Sequence, residues 1–111
     1  MAKLTGIAQL NHNLSILKEQ LARQEERLLA LRESSFQEAK PIGYNPIIKS
    51  IIRLLKEIAK VNNDISIKYL SLAVEVKNSF EENEILTIAS QYAKNANEAE
   101  VRVKYYEASL N

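Results

Sequence analysis

The segment from Asn45 to Lys60 constrains the fold more than any other stretch of the chain. Its sequence, NPIIKSIIRLLKEIAK, repeats apolar residues at helical spacing over a wide face. Asn45 can cap a helix and Pro46 suits the first helical position, so we expect a helix to begin here. A face of this width needs a neighbour on each side, which predicts the central member of a bundle.

The segments on either side of this helix carry narrower heptad seams. The first seam comprises Ile7, Leu10, Leu14, Leu17, Leu21, Gln24, Leu28 and Leu31, and the third comprises Ile85, Ala89, Tyr92, Ala96, Ala99, Val103, Tyr106 and Leu110. Two glycines and two prolines among 111 residues are too few for a strand-rich fold, which needs frequent turns. We therefore expect a single all-α domain over residues 1–111. Its fold would be an antiparallel bundle of three long helices at about 5–35, 46–78 and 80–110.

The connections are predicted from turn and cap residues. Residues 35–46 contain both prolines and one of the two glycines, which predicts an ordered loop at 36–45. Ser79 and Glu82 have the spacing of a capping box and predict the start of the third helix. Asn62–Asp64 could break the second helix, because Asn and Asp compete with helical hydrogen bonds. The heptad phase continues across this stretch, so we expect one continuous helix; a break would give four helices.

Charge and apolar patterning limit the class of protein. The net charge of +1 gives no overall basis for binding nucleic acid or an anionic membrane. Residues 46–80 carry six cations and three anions, and residues 81–111 carry the reverse, which predicts pairing between the second and third helices. Apolar runs are too short for a membrane-spanning helix or a signal peptide, so we expect a cytoplasmic protein.

No constellation of residues predicts catalysis, a cofactor or a metal site. The single histidine, His12, has no ligand-type residue at helical spacing, and there is no cysteine. The carboxylate pairs are adjacent in sequence and so do not face each other on a helix. There is no glycine-rich phosphate loop and no Glu-x-x-His motif. The sequence therefore predicts a protein that is not an enzyme.

A basic stripe is the first candidate for partner binding. Lys49, Arg53, Lys56 and Lys60 follow one another at steps of four, three and four on the polar side of the second helix. Such a stripe can contact an acidic protein, phosphates or an anionic membrane surface. A solvated back face of a core helix would have the same pattern.

The tyrosine pair Tyr105 and Tyr106 is the second candidate, since tyrosine is enriched where proteins meet. The alanine-rich third seam buries little area, which predicts self-association or a partner helix. We expect a non-enzymatic protein-binding bundle, such as an adaptor, a secretion-type chaperone or an inhibitor. The alternative is a binder of nucleic acid or anionic membrane through the basic stripe.

Overall fold

The chain folds into three long helices. A computed structural model describes residues 2–34, 43–76 and 79–110, with side chains over 6–33, 43–76 and 80–110. The helices are α1 (Ala2–Ser34), α2 (Tyr44–Val76) and α3 (Ser79–Ala108), and these described residues contain no strand. The predicted all-α antiparallel bundle is confirmed. The molecule measures 60 × 22 × 18 Å, because a helix of this length spans about 50 Å.

Helix α2 forms the centre of the bundle, as its wide apolar face predicts. It packs against α1 on one side and α3 on the other. Its largest fully buried apolar side chains are Ile48, Ile51, Leu54, Leu55 and Ile65. The seams of α1 and α3 cover them, with Ile7, Leu14, Leu21 and Leu28 buried in α1 and Ala89, Ala96, Ala99 and Val103 buried in α3.

The start of α2 differs from the prediction. The helix begins at Tyr44, two residues before Pro46, because Gly43 makes the turn with φ of +91°. The carbonyl of Gly43 accepts a hydrogen bond from the Ile47 amide at 3.3 Å, which closes the first helical turn. Pro46 falls inside that turn, where its missing N–H has no partner to lose. Asn45 therefore lies within the helix and does not cap it.

Helix α2 is continuous through Asn62–Asp64, so the four-helix alternative is wrong. Asn62 donates from Nδ2 to the Ile58 carbonyl at 3.0 Å, back along its own helix. One turn later, buried Ser66 donates from Oγ to the Ala89 carbonyl of α3 at 2.8 Å. Both polar side chains thus use hydrogen bonds that are compatible with a helix.

The two predicted connections are described only in part. Residues 36–42 of the predicted loop lie outside the described residues, while Tyr44 and Asn45 belong to α2. Helix α3 does begin at Ser79. The proposed capping contact depends on the Ser79 side chain, which lies outside the described residues.

Candidate functional site

The bundle is open between its first and third helices. Within the described residues, no Cα atom of α1 lies within 8 Å of one in α3, although both helices pack closely on α2. The alanine seam of α3 lets that helix approach α2 closely. A groove therefore runs along one side of the bundle between α1 and α3.

Two polar contacts cross this groove. The Tyr92 hydroxyl donates to Oδ1 of Asn11 at 2.9 Å, and Nη2 of Arg102 donates to Oε1 of Glu25. The partners are 81 and 77 residues apart in sequence, a nearly constant offset, as expected when the first and third helices run parallel. These long side chains hold α1 and α3 in register without bringing their backbones together.

The groove is large enough to hold side chains of another molecule. Its wider part has a volume of about 680 Å³ and is lined by Leu14 and Ser15 of α1 and by Ile88 and Gln91 of α3, among others. A second part of about 330 Å³ reaches toward the centre of α2. Lys18 and Asn95 line both parts, so the two parts are neighbours along the same side of the bundle. We call the two parts together the α1/α3 groove.

Asn62 lines the deeper part of the α1/α3 groove and is only 1% exposed. Its Nδ2 is satisfied by Ile58, but its Oδ1 has no hydrogen-bond partner among the described residues. A buried polar atom without a partner costs about 1–3 kcal/mol. The oxygen is itself buried beside the groove, so a hydrogen-bond donor from outside the chain could satisfy it only if the side chains that cover it move apart.

Tyr92 connects one wall of the α1/α3 groove to the core. Its ring stacks on Tyr69 of α2, with centroids 5.9 Å apart and an interplanar angle of 19°. Burial, and then the neighbouring Tyr92 phenol, raises the pKa of Tyr69 above its ordinary value of 10.0. The stacking of Tyr92 on Tyr69 therefore joins the groove wall to α2. The raised pKa favours the neutral form of Tyr69.

The predicted basic stripe lies on α2 outside the α1/α3 groove. Two of its side chains, Lys56 and Lys60, lie beside α3, whereas Arg53 lies beside α1. Lys49, Arg53, Lys56 and Lys60 are all exposed. Lys56 approaches Glu107 of α3, with Nζ 3.8 Å from Oε2, and Lys60 lines a shallow groove with Glu100. Pairing between α2 and α3 thus agrees with the opposite charges of their sequences.

Arg53 lies toward α1, where the structure shows a cluster that sequence analysis missed. It shares a groove of about 310 Å³ with Arg23 and Arg27, together with Gln20 and Gln24. Arg23 and Arg27 lie outside the heptad seam of α1 and were not candidates in the sequence analysis. Only the packing of α1 against α2 brings them beside Arg53.

The same side of α2 carries an exposed aliphatic row that sequence analysis also missed. Ile67, Leu70 and Val74 are 61%, 45% and 74% exposed. Their steps of three and four continue the helical phase of Lys60, and this spacing was the available signal. The helix thus changes from basic to aliphatic along one solvent-facing line.

The tyrosine pair lies near the end of α3. Tyr105 is 67% exposed, whereas Tyr106 is half-buried and packs against the core. Their rings meet edge to face, with centroids 5.4 Å apart. The hypothesis that Tyr105 contacts a partner stays a prediction, since Tyr106 already has a role in the core.

No metal-binding arrangement is found in the described part of the chain, where His, Cys, Asp and Glu form no group of three. His12 is exposed on α1. None of the helices, over the residues described, is long and apolar enough to cross a membrane. The prediction that the chain is not an enzyme is neither supported nor contradicted by these observations.

Comparison of the chain with models of known protein families, with curated proteins and with solved structures found no match. The functional argument therefore depends on the surfaces described above.

Proposed function

We propose that the protein is a non-enzymatic, protein-binding helical bundle that accepts a helix in the α1/α3 groove. The observation that carries this proposal is the opening between α1 and α3 beside a buried, unpartnered oxygen of Asn62. A helix lying over the groove, outside the Tyr92–Asn11 and Arg102–Glu25 contacts, would complete a four-helix bundle, an arrangement in which each helix packs on two neighbours.

The composition of the groove supports a protein occupant. Ile88, which is 39% exposed in the free chain, offers an apolar contact, whereas Leu14 beside it is already buried. Lys18 and Glu98, of opposite sign, line its rim, which suits a helix with charged side chains flanking an apolar stripe. A donor side chain at the middle of such a helix would reach the buried Asn62 oxygen only where the side chains that cover it move apart.

The occupant is either another protein or a second copy of this chain. An adaptor, a chaperone or an inhibitor would all act through this contact, and the groove alone does not favour one of these roles. Homo-oligomerisation and a cytoplasmic location stay predictions from the sequence. The alternative function, nucleic-acid or membrane binding through the basic stripe, is disfavoured by Glu100 and Glu107, which flank the stripe on α3.

Site-specific photo-crosslinking tests the proposal. Benzoylphenylalanine replaces Ser15, an exposed residue that lines the groove, and a matched variant carries it at Lys94, exposed on α3 outside the groove lining. Both are irradiated as purified protein and in extract of cells that make it. We expect discrete adducts from position 15 only, of twice the chain mass if the partner is a second copy.

Absence of adducts at position 15 in both samples would contradict the proposal. Equal labelling at positions 15 and 94 would contradict it as well, because it would show contacts that do not distinguish the groove from the rest of the surface. Circular dichroism of each variant confirms that the helices are intact before irradiation.

A further inference from the structure

The solvent-facing line of α2 is a second surface whose properties the groove does not explain. It begins with Lys49, Arg53, Lys56 and Lys60 and continues with Ile67, Leu70 and Val74, all exposed. We call this the outer face of α2, with a basic half and an aliphatic half. From residue 49 to residue 74 it extends about 38 Å at 1.5 Å per residue.

The basic half is wider than one helix. Arg23 and Arg27 of α1 share a groove with Arg53, and none of the three forms an ion pair with the described residues. Lys49 and Lys60 also lack ion pairs within that part of the chain. The acidic neighbours include Glu57 and Asp64 on α2 and Glu100 and Glu107 on α3; of these, Glu107 approaches Lys56.

The two halves form one continuous surface. A shallow groove of about 310 Å³ between α2 and α3 is lined by Lys56 and Lys60 from the basic half and by Ile67 from the aliphatic half. An occupant that contacts one half is therefore positioned to contact the other. Three large aliphatic side chains in a row, left in water, are typical of a contact site.

The charges on the outer face of α2 favour some occupants over others, namely a second copy, an anionic membrane, a nucleic acid or a helix of another protein. Two copies joined in parallel through this face would place cations against cations, and joined antiparallel would place cations against aliphatic side chains. An anionic membrane or a nucleic acid would meet the flanking carboxylates Glu57, Asp64, Glu100 and Glu107 as well as the cations. A helix with a single acidic stripe would place its carboxylates along the cationic line of α2.

We propose that the outer face of α2 binds an amphipathic helix of another protein, with acidic side chains toward one end and large aliphatic ones toward the other. The acidic end pairs with Arg53, Lys49 and Lys60, and the aliphatic end covers Ile67, Leu70 and Val74. With a helix also in the α1/α3 groove, the chain would hold two helices and act as a bridging adaptor. This proposal does not depend on occupation of the α1/α3 groove.

A designed peptide provides the probe. A fluorescent helical peptide of about 28 residues, long enough for the face, carries four glutamates at steps of four, three and four. Toward its other end it carries three leucines at steps of three and four. A control peptide has the same composition with glutamates and leucines interleaved. Fluorescence anisotropy at low salt measures binding to the full chain, and we expect at least tenfold tighter binding of the first peptide.

Two variants locate the contact. Ile67→Ser/Leu70→Ser/Val74→Ser and Arg53→Glu/Lys60→Glu change only exposed side chains, so the fold should persist, as circular dichroism verifies. Each should weaken binding of the first peptide at least tenfold. The matched controls, Val101→Ser and Lys94→Glu, alter an exposed aliphatic residue and an exposed cation of α3 and should leave binding unchanged.

Several results would overturn the proposal. One is equal affinity for the two peptides, and another is no binding of either. A third is binding that survives both face variants. Binding instead to phosphatidylcholine vesicles with about 30% phosphatidylserine, or to duplex DNA, with loss in Arg53→Glu/Lys60→Glu, would assign the face to those anions. Self-association abolished by the triple serine variant would assign it to a second copy.

Discussion

Replacement of Asn62 by Leu is expected to stabilise the free protein. Asn62 is 1% exposed and its Oδ1 has no partner within the described residues. Removing an unsatisfied buried oxygen recovers about 1–3 kcal/mol, and losing the bond from Nδ2 to the Ile58 carbonyl costs about 0.5–1.5 kcal/mol. That carbonyl keeps its helical partner, the amide of residue 62.

The leucine side chain has nearly the shape of asparagine, and the deeper part of the α1/α3 groove beside it offers about 330 Å³ for adjustment. Strain from overpacking should therefore be small, and the net gain should be about 1 kcal/mol. Urea unfolding followed by circular dichroism measures it as a higher midpoint at unchanged slope. Asn95→Leu, a partly exposed change in the same groove, is the control and should stay within about 0.5 kcal/mol.

A loss of more than about 1 kcal/mol in Asn62→Leu would refute this reasoning. It would mean that the Asn62 oxygen is already satisfied in the free protein, for instance by a buried water. The same variant also addresses function: the free chain should be more stable, yet crosslinking through position 15 should decrease, because the occupant loses its acceptor. Greater stability with unchanged crosslinking would separate Asn62 from the binding role of the groove.

Three further perturbations test the fold. Leu55→Ala removes a fully buried side chain of α2 and should cost about 2–5 kcal/mol in urea unfolding; a smaller cost would contradict the central position of α2. Gly43→Ala places a side chain at φ of +91° and should cost about 1 kcal/mol, whereas an unchanged midpoint would contradict the turn. The raised pKa of Tyr69 predicts stability that is complete below pH 10 and falls as the pH rises through the folded pKa, since the unfolded state ionises first. Thermal unfolding between neutral and alkaline pH should show this fall, and Tyr69→Phe should reduce it.

Periodicity was sufficient to predict the three helices and their buried sides. The heptad spacing of Leu14, Leu21 and Leu28 identifies the side of α1 that packs on α2. The phase kept across Asn62 correctly predicted a continuous α2, because a turn would have shifted the apolar pattern. The error at Tyr44 arose because a capping asparagine and a first-turn proline suggested Pro46 as the start. The conformation of Gly43 fixed the start two residues earlier.

The α1/α3 groove could not be predicted in the same way. The seams show that α1 and α3 both pack on α2, but they do not determine the separation between α1 and α3. That separation depends on side chains that cross the gap, such as Tyr92 to Asn11. The Arg23 and Arg53 cluster likewise depends on the register of α1 on α2. The aliphatic row at Ile67, Leu70 and Val74 was accessible from spacing alone.

Dipolar spectroscopy between two spin labels across the groove tests the central claim most directly. Labels at Ser15→Cys and Gln91→Cys report the separation of α1 and α3, and a reference pair at Lys60→Cys and Glu100→Cys reports the packed α2–α3 contact. The open groove predicts a single distance across Ser15 and Gln91, longer than the reference distance, in the dilute purified chain. A distance equal to or shorter than the reference would show that α1 and α3 close on each other, and would contradict a groove that receives a partner helix.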